Sequence, residues 1–223
     1  MILPNRPFQR EAPSREAKKI FIFCEGKERE YDYFTYFVEL DSRINVEVYK
    51  LHPHENNSPL GLLRIAEEKF LGTDKYCPDP RYQCLENDEI WIVFDIDSDK
   101  FKSRELQIEE ARCACEKRAN WNFARSNPSF EVWLFYHFFK KKPIEIWDKA
   151  KLWKRMLDEK IPGGFDSRKH PLLVERASKN AEMNFQLIEN TPALGSTEVF
   201  NLANTILPLV KEKLLREIIK NQL

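Results

Sequence analysis

Glu89-Ile90-Trp91-Ile92-Val93-Phe94-Asp95-Ile96-Asp97-Ser98-Asp99 is the stretch on which the fold turns. Its apolar run from Ile90 to Phe94, rich in Ile, Val and aromatic rings, predicts a strand covered on both faces, as in a parallel sheet. Asp95, Asp97 and Asp99 follow at once. Side chains two apart on an extended segment point the same way. Asp95 and Asp97 are therefore expected together at the carboxyl end of a central strand, the edge where open α/β sheets take ligands. Paired carboxylates repel, and a proton or a cation relieves the repulsion. A donor set of oxygens alone suits Mg2+ or Mn2+. The plainer reading of the same residues is a strand-to-helix turn with an Asp cap.

Working outward, Lys19–Cys24 reads as a first buried strand, with Glu25-Gly26 directly after it. Tyr33, Phe34, Phe37 and Leu40 recur at helical spacing, which predicts a helix over 28–40. Residues 44–51 alternate as a second strand. Asn57-Ser58-Pro59 opens a helix over 60–71, and 72–87 is a long loop. Beyond the central strand a helix is expected from about Arg104 to Ala119, then a short fourth strand, Trp121–Ala124. Ser126-Asn127-Pro128 has the chemistry of a helix start, with Asn127 as N-cap and Pro128 as first helical residue of a helix reaching Phe139. The order β-α-β-α-β-α-β-α is that of a mainly parallel sheet of about four strands with helices on both faces. From Lys140 on, no strand is evident. Helices over 143–159, 171–189 and 197–221 make a helical C-terminal extension. The expected division is a flexible arm over 1–16, an α/β domain over 17–139 and the extension over 140–223.

Composition narrows the partners. In 223 residues, 36 basic side chains balance 36 acidic ones, so no global field recruits a polyanion, and any such site is local. No run approaches the roughly 20 apolar residues of a membrane span, and the opening residues lack the order of a signal peptide. The five cysteines, Cys24, Cys77, Cys84, Cys113 and Cys115, are odd in number and lie in strand, loop and helix patterns. That is reduced, cytoplasmic usage and no disulfide framework. His52-Pro53-His54 with Cys77 and Cys84 matches no standard zinc spacing. Residues 140–160 hold eight Lys or Arg against four acids, with Trp147 and Trp153. Such a mixture binds single strands or, more plainly, is the solvated face of an amphipathic helix.

If the first and third strands are neighbours, Glu25, Asp95 and Asp97 converge in one crevice. The chemistry they suit is metal-assisted phosphoryl transfer, with a free carboxylate moving a proton. Gly26 lets the turn pass close to a bound group. Lys100, Lys102 and Arg104 after the Asp cluster, and Arg125 at the fourth strand's end, are placed to hold phosphates.

These residues resemble a known group. Glu25-Gly26 with Glu30 and Tyr33-Phe34, then Asp95-x-Asp97, then Ser126-Asn127-Pro128-Ser129-Phe130-Glu131-Val132-Trp133 with His137, and the late Thr197-Glu198-Val199, are similar to the RloB-like branch of the Toprim domains. The likeness spans roughly residues 19–207, and the Ser-Asn-Pro block is its most specific part. One position departs from the pattern: Arg29 stands where that branch has Thr before the second Glu. The resemblance implies a Toprim-like α/β fold, related to OLD-type nucleases, and Mg2+-dependent cutting or rejoining of phosphodiesters. It implies an effector of bacterial anti-phage defence, acting on DNA or tRNA beside an ABC-type ATPase. By the same analogy Glu25 is the proton-transfer group or a metal ligand, and Asp95 and Asp97 are metal ligands. Glu30 supports them or binds a second metal, and Asp99 assists.

Glu131 is either a helix-start stabiliser or a site carboxylate. Ser126 and Asn127 are caps or substrate contacts, and His137 is a packed or a supporting histidine. The leading expectation is a nuclease. The rivals are a metal-dependent phosphotransferase on a small nucleotide and a non-catalytic partner of an ATPase whose acids are structural. The helices after Lys140 suit docking or homo-oligomerisation equally.

Overall fold

The computed structural model describes residues 9–73, 75–96 and 101–221, with only the backbone at 101–103, 220 and 221. Asp97, Asp99 and Lys100 lie outside the described residues, as does the side chain of Lys102.

Four parallel strands carry the fold: β1 (Lys18–Cys24), β2 (Ile44–Tyr49), β3 (Glu89–Asp95) and β4 (Trp121–Asn127). A fifth, β7 (Ser196–Thr197), joins antiparallel to β4, giving the order β2-β1-β3-β4-β7. The sheet thus has one strand more than expected, and that strand comes from a region where none was evident. Two further short strands, β5 (Leu187–Ile188) and β6 (Thr191–Pro192), pair as a hairpin beside it.

The alternation of side chains along β1 and β3 sorts the core into two layers. Phe21, Phe23, Ile90, Ile92 and Phe94 face α2 (Pro59–Leu71) and α3 (Phe101–Glu116), burying Leu62, Ile65, Ile108 and Ala111. Ile20, Ile22, Trp91 and Val93 face the other way, toward α1 (Arg29–Thr35), α4 (Glu131–Tyr136), α5 (Ala150–Lys160), α6 (Val174–Asn184) and α7 (Val199–Asn221). The result is an α/β/α sandwich whose second helical layer is built largely from residues after 140.

Helix boundaries depart from expectation where tertiary contacts intervene. The α1 helix ends at Thr35. Beyond it Tyr36, Phe37 and Val38 donate to carbonyls three residues back, and Glu39 takes a positive φ of 55°. The extended conformation of β4 runs on to Asn127, so Asn127 is a strand residue and not a helix cap. Asp95 pairs with Ser126 on one side, and Ser196 and Thr197 pair with Asn127 and Ser126 on the other. The Asn127–Pro128 peptide is cis, and α4 begins at Glu131. On α5, Trp153, Met156 and Leu157 are buried while Lys151, Lys154 and Arg155 are exposed, so its basic residues form a solvated face.

Candidate functional site

The chain leaves β1 toward β2 on one side and crosses back to β3 on the other. The carboxyl ends of β1 and β3 therefore flank the topological switch point, where open α/β sheets bind ligands. Glu25 follows β1 directly and Asp95 ends β3. The Asp95 N–H donates to Glu25 Oε2 at 3.1 Å, tying the two strand ends together.

Glu25 is held from a second direction. Arg104, on the first turns of α3, donates through both terminal nitrogens to its two oxygens, at 3.1 and 2.7 Å. Arg104 was expected among the phosphate contacts, yet its side chain is almost wholly buried and spent on Glu25. A signal for this was present: Arg104, Ile108, Ala111 and Cys115 share one stripe of α3, and the other three are buried. A charge on a buried stripe needs a partner.

Glu30 is also buried, on the inner face of α1 with Tyr33 and Phe34. Its carboxylate lies against Gly26. A Cβ built at that glycine would stand 1.6 Å from Glu30 Oε2, so only glycine leaves the carboxylate its place. The close approach expected at Gly26 is thus made by the protein's own Glu30. Burial, and then the charges of Glu131 and Glu25, push the Glu30 carboxyl up to about 7. Burial, and then Glu30, Glu25 and Glu131, push the Asp95 carboxyl well above the usual carboxylate range, with Arg104 opposing. Glu131 itself accepts from the Ser129 hydroxyl at 2.7 Å and from Arg29 at 3.3 Å. Arg29, the one departure from the RloB-like pattern, therefore serves as a counter-charge for the cluster.

Four carboxylates, Glu25, Glu30, Asp95 and Glu131, face two guanidiniums, those of Arg104 and Arg29. Burial is the main reason the two pKa values are raised, and the excess of acids over guanidiniums adds to it. An oxygen-only donor set with unbalanced charge fits a hard divalent cation chemically. Among the described residues, however, no three His, Cys, Asp or Glu side chains stand in an arrangement that holds a metal ion. Mg2+ ordinarily takes one or two carboxylates and completes its shell with water and substrate phosphate, which these residues allow.

The remaining expected site residues lie one strand away. Arg125 is buried and gripped by Glu198, its Nε and Nη2 donating to the two carboxylate oxygens at 2.7 and 2.6 Å. Its Nη1 donates to the Asn190 carbonyl at 2.9 Å. The Ser126 hydroxyl meets that of Thr197 at 2.8 Å, and Asn127 Nδ2 donates to the Pro192 carbonyl at 2.6 Å. The block thus stitches β4 to the chain's later hairpin and β7. Glu198, the acid of this stitch, carried no expected role.

His137 is fully buried in the aromatic layer between Tyr33, Trp133 and Phe165. Its Nδ1 lies 3.1 Å from the Trp133 carbonyl, an acceptor only, so Nδ1 donates. Its Nε2 then accepts from the Tyr33 hydroxyl at 3.0 Å. Burial holds its pKa down at about 3, so the ring is neutral.

The profile of RloB-like proteins matches residues 20–206. The chain belongs to the RloB-like family. The match runs from within β1 into the first turns of α7, so every residue of the acid crevice and of the Arg125–Glu198 stitch falls within the family's extent. No curated protein and no solved structure matches the chain. All five cysteines are free, and no helix among the described residues is long and apolar enough to cross a membrane.

Proposed function

We propose that this RloB-like protein is a Toprim-type, Mg2+-dependent nuclease that cuts the phosphodiesters of DNA or tRNA. In this reading it acts as a bacterial anti-phage effector together with an ABC-type ATPase. The observation that carries the reading is the crowding of Glu25, Glu30, Asp95 and Glu131 at the β1/β3 switch point with too few cations to balance them. Asp95 and Glu25 are the residues to hold Mg2+ or Mn2+, joined by Asp97, two residues further along the sequence. The bound cation supplies charge neutralisation at the phosphate and lowers the pKa of its water.

The chain's own groups do the rest. Arg104 and the Asp95 N–H fix both oxygens of Glu25, so it is pre-positioned and loses no rotamer freedom when the site fills. Glu30, whose carboxyl titrates near 7, is suited to carry a proton in either direction at neutral pH, the condition a general acid or base must meet. Arg29 and Arg104 limit the repulsion a phosphate would meet from the acids.

The test is cleavage of supercoiled plasmid, single-stranded DNA and tRNA by purified protein in Mg2+ or Mn2+, alongside growth arrest on induced expression in cells. The wild type is expected to cut at least one of these substrates or to arrest growth, and Asp95→Asn to lose either effect by at least about a hundredfold while keeping its circular dichroism. Cleavage or arrest that survives Asp95→Asn unchanged would contradict the assignment and favour a non-catalytic partner of an ATPase.

A further inference from the structure

We infer that His52 and His54 form a base-stacking platform beside the acid crevice, which makes single-stranded nucleic acid the substrate class. The inference rests on the proposed nuclease reading and deepens it.

Both histidines lie on the loop between β2 and α2. Because β1 and β2 are parallel neighbours, this loop and the Glu25-Gly26 turn open on the same sheet edge. Both side chains are exposed, and their rings are nearly parallel, 12° apart, with centroids 6.0 Å from each other. The chain's other two histidines, His137 and His170, are instead packed among aromatic rings. Among the described residues, each of these two exposed imidazoles has only the other as a ring neighbour.

The loop carrying them is fixed. Glu55 accepts from the His52 N–H at 2.7 Å and from the Tyr49 hydroxyl at 2.6 Å. Asn57 Nδ2 donates to the Glu25 carbonyl at 3.2 Å, and Lys27 Nζ to the Pro53 carbonyl at 3.2 Å. The platform is therefore tied to the very residue that opens the acid crevice. Lys27, exposed between the two, and Lys50, exposed at the end of β2, offer charge to a phosphate backbone along the same path.

Imidazole is among the rings on which splayed bases stack. In a duplex the bases are already stacked and their faces closed, so only an unpaired strand can use such a platform. A transition-metal site on the same pair lacks a third donor, since among the described residues no further His, Cys, Asp or Glu completes a metal-holding group.

The test is fluorescence anisotropy with a labelled single-stranded oligonucleotide and with the blunt duplex of the same sequence, in Ca2+ in place of Mg2+. Wild type is compared with the double variants His52→Ala/His54→Ala and His52→Phe/His54→Phe. The alanine pair is expected to weaken single-strand binding about tenfold or more. The phenylalanine pair should retain it, and duplex binding should stay unchanged. An alanine pair that binds like wild type would overturn the platform and leave the nuclease reading standing. So would a phenylalanine pair as weak as the alanine pair, or an equal loss on single strand and duplex. A wild type that binds no nucleic acid would overturn both.

Discussion

Glu25 and Glu198 are held in nearly the same way. Each takes a two-pronged grip from one arginine, Arg104 or Arg125, and each also accepts a backbone N–H from a strand. For Glu25 that N–H is Asp95's, at 3.1 Å; for Glu198 it is Arg125's own, at 3.0 Å. Their surroundings differ. Around Glu198 the account closes: Nη1 of Arg125 has the Asn190 carbonyl, and Ser126, Thr197 and Asn127 are matched with one another or with backbone. Around Glu25 it stays open. The buried Arg104 Nε has no acceptor among the described residues, and Glu30, Asp95 and Glu131 add negative charge that Arg104 and Arg29 do not balance. One ion pair therefore fastens the sheet to its last strand, while its counterpart stands in a crevice where acids outnumber guanidiniums.

The largest effect is expected at the closed pair. Arg125→Ala leaves the Glu198 charge buried without a partner and should cost about 3–5 kcal/mol in urea denaturation. Replacing both members, as Arg125→Met/Glu198→Leu, should recover much of that loss. A cost for Arg125→Ala below about 1 kcal/mol would break the contrast between the two pairs.

At the open pair the next largest effect is a pH dependence. The Glu30 carboxyl titrates at about 7 when folded and at its ordinary 4.5 when unfolded. Between those values the folded state binds more protons. Its stability contribution is thus full below about pH 4.5 and is lost as pH rises through about 7, amounting to on the order of 3 kcal/mol. Glu30→Gln removes the titration, so the variant should unfold at higher urea than wild type at pH 8 and at nearly equal urea at pH 4.5. A wild type whose stability is flat across this window would show that folding does not raise the Glu30 carboxyl above its ordinary range.

A smaller effect belongs to Arg104→Gln. Losing a charge-assisted fork on a partly exposed carboxylate should cost about 2 kcal/mol. Added Mn2+ should restore part of it, because a cation can replace the missing guanidinium. A loss of stability that Mn2+ does not touch would assign Arg104 to packing alone.

Much of this was legible in the chain. The central strand was expected from the run Ile90–Phe94 with Asp95 at its carboxyl end, and β3 spans Glu89–Asp95. The four parallel strands follow from their apolar runs; the burial of Glu30 and Arg104 was signalled by their place on apolar helix stripes, a signal that the expected ligand and phosphate roles passed over. What local chemistry misread is the Ser126-Asn127-Pro128 block. Its residue types favour a helix start, but β3 and β7 on either side supply strand hydrogen bonds that no local preference outweighs. The two-residue strand β7 is too short to show a period of its own. The Arg125–Glu198 pair joins residues 73 apart and depends on that strand's docking, so only the assembled fold brings it together. Gly26 was marked as a point where the turn passes close to a bound group; the neighbour it makes room for is the Glu30 carboxylate, which periodicity does not say.

Mn2+ binding measured by calorimetry or paramagnetic resonance at pH 8 tests, without knowledge of the substrate, the proposal that the acids at the β1/β3 edge take a divalent cation. Wild type is expected to bind Mn2+, and Asp95→Asn and Glu25→Gln to bind it at least about tenfold more weakly with their folds intact. Equal Mn2+ binding by wild type and Asp95→Asn, or none by the wild type, would contradict it.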